Sequence, residues 1–209
     1  MRTIGVVTVA RADFGLLRPI LREMARRDGL RARLFVAGSH LSREHGLTIQ
    51  EIREEEWPIA LEVQTVTEDT PHGIAVSMGA AVMGFGSGWH ASRPAAILAL
   101  GDRFETFCAV AAAAPFRIPV FHLHGGEATE GLYDEAFRHA ITKMSHVHLA
   151  SNSWAAGRVR ALGEEAWRVR VVGAPGLDGI AEFTPMPRAE ATFLPGAGKF
   201  LLVVQHPET

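Results

Sequence analysis

The stretch "FHLHGGEATEGLYDEAFRHAITKMSH", residues 121–146, gathers His122, His124, Glu127, Asp134, Glu135, Arg138, His139 and His146 into one short span. Imidazoles and charges cost free energy when buried unless they are partnered, so packing alone does not call for this density. Three uses are open: cation coordination, proton transfer, or an ordinary polar helix face. His122-x-His124 are alternate residues of one strand and face the same side, as in some metal-dependent hydrolases. No Cys joins them, however, and Glu127 is the only acidic ligand nearby, whereas zinc sites usually show three protein ligands. Further on, Asp134, Arg138 and Lys143 lie near one helix face, and Glu135 and His139 form an i,i+4 pair. A solvated helix explains that arrangement equally well.

Other polar residues sit directly after apolar runs. Arg11 and Asp13 follow "TIGVVTV", Ser39 and His40 follow "RARLFVAG", Asp102 and Arg103 follow "ILAL", and His206 follows "LLVV". "GDRFE" offers Gly101 for a tight turn and Asp102 near a helix start, where the carboxylate either caps the helix or does chemistry. Arg103 and Glu105 crowd the same turn. Arg11, placed just after a strand, suits an anion such as phosphate. The two glycines of "HGGE" let backbone amides approach an anion, or simply make a loop.

Positioning these residues requires strands alternating with helices, and the periodicity supplies them. Apolar runs at 3–9, 31–38, 60–66, 95–102, 118–124, 146–151 and 167–173 read as strands. Between the first two, Leu16, Leu17, Ile20, Leu21 and Met24 recur at helical spacing, with "ARADFG" as the preceding turn and Pro19 in the helix's first turn. Further helices are expected at 47–56 and 72–91, and from "RFETFCAVAAAAPF", "DEAFRHAITKMS" and "SWAAGRVRALG". Strands without polar alternation are buried on both faces, so the expected fold is α/β: a Rossmann-like parallel sheet flanked by helices. In such sheets ligands gather at the carboxyl ends of the strands, where the polar residues above converge. Residues 1–182 form this domain in our reading. Residues 183–199, rich in Pro and Gly, read as a linker, and 200–209 as the first strand of a truncated second domain.

Composition narrows the function classes. A formal net charge of −2 leaves no general electrostatic footprint for nucleic acid. The first apolar run is too short to span a bilayer, and residues 73–89 are broken by glycines, so no membrane segment is expected. The single cysteine, Cys108, excludes an internal disulfide and fits a reducing, cytoplasmic compartment. "GAAVMGFGSG" contains G-x-G but sits inside a helical pattern, and "VTVARADFG" lacks the dinucleotide fingerprint, so NAD chemistry is disfavoured.

"RADFGLLRPIL", "AGSHLSREHGLTIQEI", "GDRFE", "HLHGGEATEGLYDEAFRHAITKMSH", "GAPGLD" and "QHPET" occur in an order that resembles the hydrolysing UDP-N-acetylglucosamine 2-epimerases of bacterial sialic-acid-type sugar biosynthesis. The resemblance implies the first half of a GT-B-like two-domain fold, with the active site in the cleft between domains. It implies a nucleotide-sugar substrate, no cofactor, and a homo-oligomer, dimer or tetramer, through this domain. The implied reaction is anti elimination of UDP across C1–C2 to a 2-acetamidoglucal, then hydration to N-acetylmannosamine. Carried over by position, Asp102 and Asp134 are the implied catalytic carboxylates, with His124 and Glu127 as a shared acid/base pair. His206 is implied to complete the cleft. Arg11 and Arg138 are the implied phosphate contacts, and Asp13, Arg103, Glu135 and His139 line the substrate side.

Three departures stand out. Phe14 replaces the usual Tyr, and Glu208 stands where an apolar residue is usual. The second domain, which the resemblance implies carries most of the nucleotide site, is expected to be missing after Thr209. Two other readings therefore stay open: a catalytically silent Rossmann-like domain that binds ligand weakly or self-associates, and a metal-dependent hydrolase using His122 and His124.

Overall fold

Alternate residues of each central strand face opposite sides, so a strand that is apolar throughout must be covered twice. The computed structural model, which describes residues 1–65, 70–129, 131, 133–180, 183–187, 190, 199 and 201–204, shows this arrangement. The strands are β1 (Arg2–Thr8), β2 (Leu30–Ala37), β3 (Ile59–Val63), β4 (Ala96–Leu100), β5 (Val120–Leu123), β6 (Val147–Ala150) and β7 (Val169–Val171). All pair in parallel, in the order β3-β2-β1-β4-β5-β6-β7. The helices are α1 (Arg11–Ala25), α2 (Ile49–Glu54), α3 (Pro71–Ala91), α4 (Phe104–Ala113), α5 (Asp134–Met144) and α6 (Ser153–Ala161).

Val7, Phe35, Ile97 and Val120 pack on one face with Phe85 and Trp89 of α3 and Cys108 of α4. Val6, Leu34, Val36 and Leu98 pack on the other with Phe14, Leu17 and Leu21 of α1 and Ile49 and Ile52 of α2. Cys108 is buried and free. Among the described residues no helix is long and apolar enough to cross a membrane.

Two local expectations change. "ARADFG" is the start of α1 rather than a turn before it, so Pro19 falls inside the helix. The lost amide bond is outweighed by burying Phe14, Leu17 and Leu21 against the sheet. The Gly-rich "GAAVMGFGSG" is helical, as expected, and the structure supplies a reason for two of its glycines. A Cβ on Gly84 would meet Val63 at 2.5 Å and one on Gly88 would meet Leu61 at 2.2 Å, so their absence lets α3 lie down on β3.

The first compact unit runs from Met1 to Gly176, short of the expected boundary at 182. The second spans Leu177–Thr209. Its residues 183–187 and 201–204 are in no helix or strand, and Leu201–Val204 are exposed. The strand expected at 200–209 otherwise falls outside the described residues.

Candidate active site

In a sheet of this order the chain crosses over in opposite senses on either side of the β1–β4 boundary, opening a crevice beyond the carboxyl ends of those strands. β1 delivers Arg11 and Asp13 there, at the start of α1, and β4 delivers Gly101, Asp102 and Arg103. His124 follows β5 directly, and Ser151 follows β6. α5 starts at Asp134 and carries Glu135, Arg138 and His139.

The centre of the site is a clamp on Arg138, which is 4 % exposed. Its Nη2 pairs with Asp102 Oδ2 and donates to Thr129 Oγ1 at 2.7 Å. Its Nη1 donates to Glu135 Oε2 at 2.5 Å and to the Glu127 carbonyl at 2.9 Å. Glu135 also takes the Thr129 amide at 2.9 Å and Arg158 Nη2 at 2.6 Å, with His139 Nε2 at 3.2 Å. Two carboxylates and two guanidiniums thus balance, and the guanidinium fork fixes three segments together. Asp102, Glu135 and Arg138 are brought together as one unit. Arg138 spends its donors on the protein, a commitment that sequence spacing does not show.

Beside the clamp is the histidine pair. His124 sits at φ +64°, a left-handed conformation that is unusual for a side-chain-bearing residue. Strain of this sort gathers at functional sites. His124 Nδ1 and Glu127 Oε1 are 2.6 Å apart, and Ser151 Oγ donates to the same oxygen at 2.7 Å. These bonds, the one from His124 foremost, hold the Glu127 carboxyl below its ordinary value despite partial burial. An ionised Glu127 only accepts, so Nδ1 carries the proton and Nε2 keeps the lone pair. That Nε2 is buried without a hydrogen-bond partner among the described residues. The arrangement of oriented histidine and free ring nitrogen is what a general base needs.

Asp134 is half-buried, and desolvation raises its carboxyl above the usual range against the pull of Arg103. Asp13 is buried, and its carboxyl is raised by desolvation against Arg103 and backbone donors at Val9 and Ala10. Arg103 is exposed. Arg11 is largely exposed and reaches Glu51 at 3.0 Å. His206 lies outside the described residues.

His122 is separated from this work. It is fully buried, its Nε2 donates to the Gly101 carbonyl at 2.8 Å, and its Nδ1 lies 3.2 Å from Thr142 Oγ1. Burial lowers its pKa to about 4, so it is neutral. With both ring nitrogens engaged, His122 has no lone pair for a cation, and the His122/His124 metal pair loses a ligand. Among the described residues no group of three His, Cys, Asp or Glu side chains is placed to hold a metal ion.

The glycines of "HGGE" also gain a packing reason. A Cβ on Gly125 would meet His122 Nδ1 at 2.8 Å, and one on Gly126, at φ +83°, would meet the Ala155 carbonyl at 2.2 Å. Sequence reasoning missed Thr129, Ser151 and Arg158. Ser151 was findable, since it follows a strand end like the others; Arg158 carries no local signal.

The family model described as UDP-N-acetylglucosamine 2-epimerase matches residues 22–209. The chain is 35% identical over 189 residues to the UDP-N,N'-diacetylbacillosamine 2-epimerase (hydrolyzing) of Legionella pneumophila, covering 90% of this chain and 50% of that one. It is 30% identical over 184 residues to the UDP-N-acetylglucosamine 2-epimerase of Neisseria meningitidis, covering 88% and 48%. The crystal structure of UDP-GlcNAc 2-epimerase from Neisseria meningitidis bound to UDP-GlcNAc shares the fold, with TM-score 0.73 and 19% identity over 87% of this chain and 48% of that one. The chain thus spans about half the length of the relatives it matches. By sequence and by fold, the chain belongs to the UDP-N-acetylglucosamine 2-epimerase family.

Proposed function

We propose that this chain forms the acid/base wall of a hydrolysing nucleotide-sugar 2-epimerase. The observation that carries the reading is His124: Glu127 fixes its tautomer and its Nε2 is left without a partner among the described residues, with Asp102 and Asp134 at the same sheet edge. In the proposed reaction UDP leaves C1 as a base removes the C2 proton, giving a 2-acetamidoglucal. Water then adds, and the sugar is released with the opposite configuration at C2.

His124 and Glu127 act as one proton-transfer pair, and Asp134, its carboxyl raised by burial, is the second proton carrier. Asp102 works through Arg138, whose clamp holds the wall in register. Arg11, exposed and held among the described residues at Glu51, is free to swing to a diphosphate. The substrate is UDP-N-acetylglucosamine or the diacetylated bacillosamine analogue named for the Legionella relative. The opposite wall of the cleft would come from sequence corresponding to the relatives' remaining length, joined by His206 of this chain. A second reading, a silent domain that binds ligand weakly, draws support from the half-length coverage.

Self-association is part of the proposal. α3 turns Val76, Met83, Gly79 and Ala80 into an open apolar groove, with Met83 75 % exposed. A face of this kind suits a second copy. The buried free thiol of Cys108 agrees with a reducing, cytoplasmic setting.

UDP release from both nucleotide sugars, by the 209-residue chain and an Asp102→Asn control, tests the reading. Release that vanishes in the control supports it for this chain alone. Silence of the chain, with activity in a longer parent protein, shows that one wall is insufficient. Silence of both on both sugars sinks the epimerase reading.

A further inference from the structure

Glu105 lies in the first turn of α4 at the β1–β4 crevice, is 5 % exposed, and takes no part in the Arg138 clamp. Its Oε2 is buried without a hydrogen-bond partner among the described residues. Its Oε1 packs beneath Gly38, which follows β2 at φ +62°. A Cβ built on Gly38 would meet Glu105 Oε1 at 2.6 Å and the Val9 carbonyl at 2.7 Å. The carboxyl therefore occupies the corner between the ends of β1 and β2, a place where Gly38 leaves room for it. A buried carboxylate with a bare oxygen is costly, whereas the acid form brings an O–H donor and no charge.

We propose that Glu105 is a positioning residue that works as the neutral acid, setting the Val9–Asp13 and Gly38 turns that shape the crevice. Its ionisation loosens those turns and adds a negative charge to the wall that meets the substrate diphosphate. The second consequence rests on the epimerase reading; the first does not.

The surroundings agree. Burial pushes the Glu105 carboxyl up to about 7, against its own amide and Arg103, while Asp13 of α1 and Asp134 of α5 add to the rise. Cys108, one turn along α4, is itself pushed up by burial to about 12, and His40, after β2, is brought down by burial to about 4. Neither titrates near neutrality, so the change there is assigned to Glu105.

The test is an NMR titration of the 209-residue chain from pH 5.5 to 9, following the Glu105 carboxyl carbon and the amides of Ala10, Arg11, Asp13 and Gly38. The expected result is one shared midpoint near 7, absent from the amides of Glu105→Gln. A carboxyl midpoint near 4.5, or amides that titrate identically in Glu105→Gln, overturns the proposal; the carboxyl reading needs no variant to fold. UDP affinity, measured by calorimetry over the same range, should fall about threefold more in the wild type than in Glu105→Gln. Equal pH dependence in the two proteins removes the substrate part. If UDP binds neither protein, the substrate part is refuted for this chain, while the carboxyl and amide midpoints still decide whether Glu105 sets the turns.

Discussion

Arg138→Met removes the guanidinium that joins Asp102, Glu135, Thr129 and the Glu127 carbonyl while keeping most of the apolar stem. Breaking a buried ion pair by removing one partner costs roughly 3–5 kcal/mol, because the remaining charge is left buried. Two features reduce that here. The Asp102 and Glu135 side chains are 23 % and 25 % exposed, so water can reach them. Glu135 also keeps Arg158 at 2.6 Å. Asp102 is then the main orphan, and the expected loss is about 3 kcal/mol. For a chain of this size that lowers Tm by roughly 6–12 °C. Urea unfolding at pH 7.5 of Arg138→Met, Asp102→Asn and the double variant gives the cycle. The double variant should recover part of the loss, with a coupling of about 1–2 kcal/mol, since it removes the orphaned charge. A cost for Arg138→Met under about 1 kcal/mol would place the pair with solvated surface bridges. Additive single effects would refute the clamp as a unit.

Gly126→Ala puts a Cβ 2.2 Å from the Ala155 carbonyl at φ +83°; thermal unfolding should show a loss of about 2–4 kcal/mol, and a loss near zero would mean the loop can shift away from α6. Acid titration tests His122, whose pKa burial lowers to about 4. The unfolded chain binds a proton near pH 6.5 that the native state refuses, so its stabilisation is present above 6.5 and lost as pH falls toward 4. Glu105, raised to about 7, slopes the opposite way between 4.5 and 7, so the readout is the difference between wild type and His122→Gln. That difference should change by on the order of 3 kcal/mol across the window, and a constant difference would show that His122 is charged in the fold. Met83→Glu on the exposed face of α3 should shift sedimentation from oligomer to monomer with unchanged circular dichroism. A wild type that is monomeric at every concentration removes α3 as an interface.

The alternation of strands and helices was legible because hydrophobic periodicity is local: Leu17 and Leu21 share a face whatever surrounds them. The strand-end rule likewise gathered Asp13, Asp102, His124 and Glu127 from separate stretches. What it could not show was commitment. His122 and His124 are two residues apart, yet one spends both ring nitrogens on Gly101 and Thr142 while the other keeps Nε2 unpartnered among the described residues. That difference comes from β4 and α5, which no local window contains.

By itself, then, the order of residues determined the class of fold, the edge at which polar groups collect, and the family motifs. Only tertiary structure decided that Pro19 stays within a helix, that Gly126 is empty to admit the Ala155 carbonyl, and that Arg138 is clamped by Asp102, thirty-six residues away. Periodicity and motif order are properties of neighbouring residues along the chain. Pairing, burial and strain depend on which distant segments meet, because the free energy of a charge or a ring nitrogen is set by its partners in space.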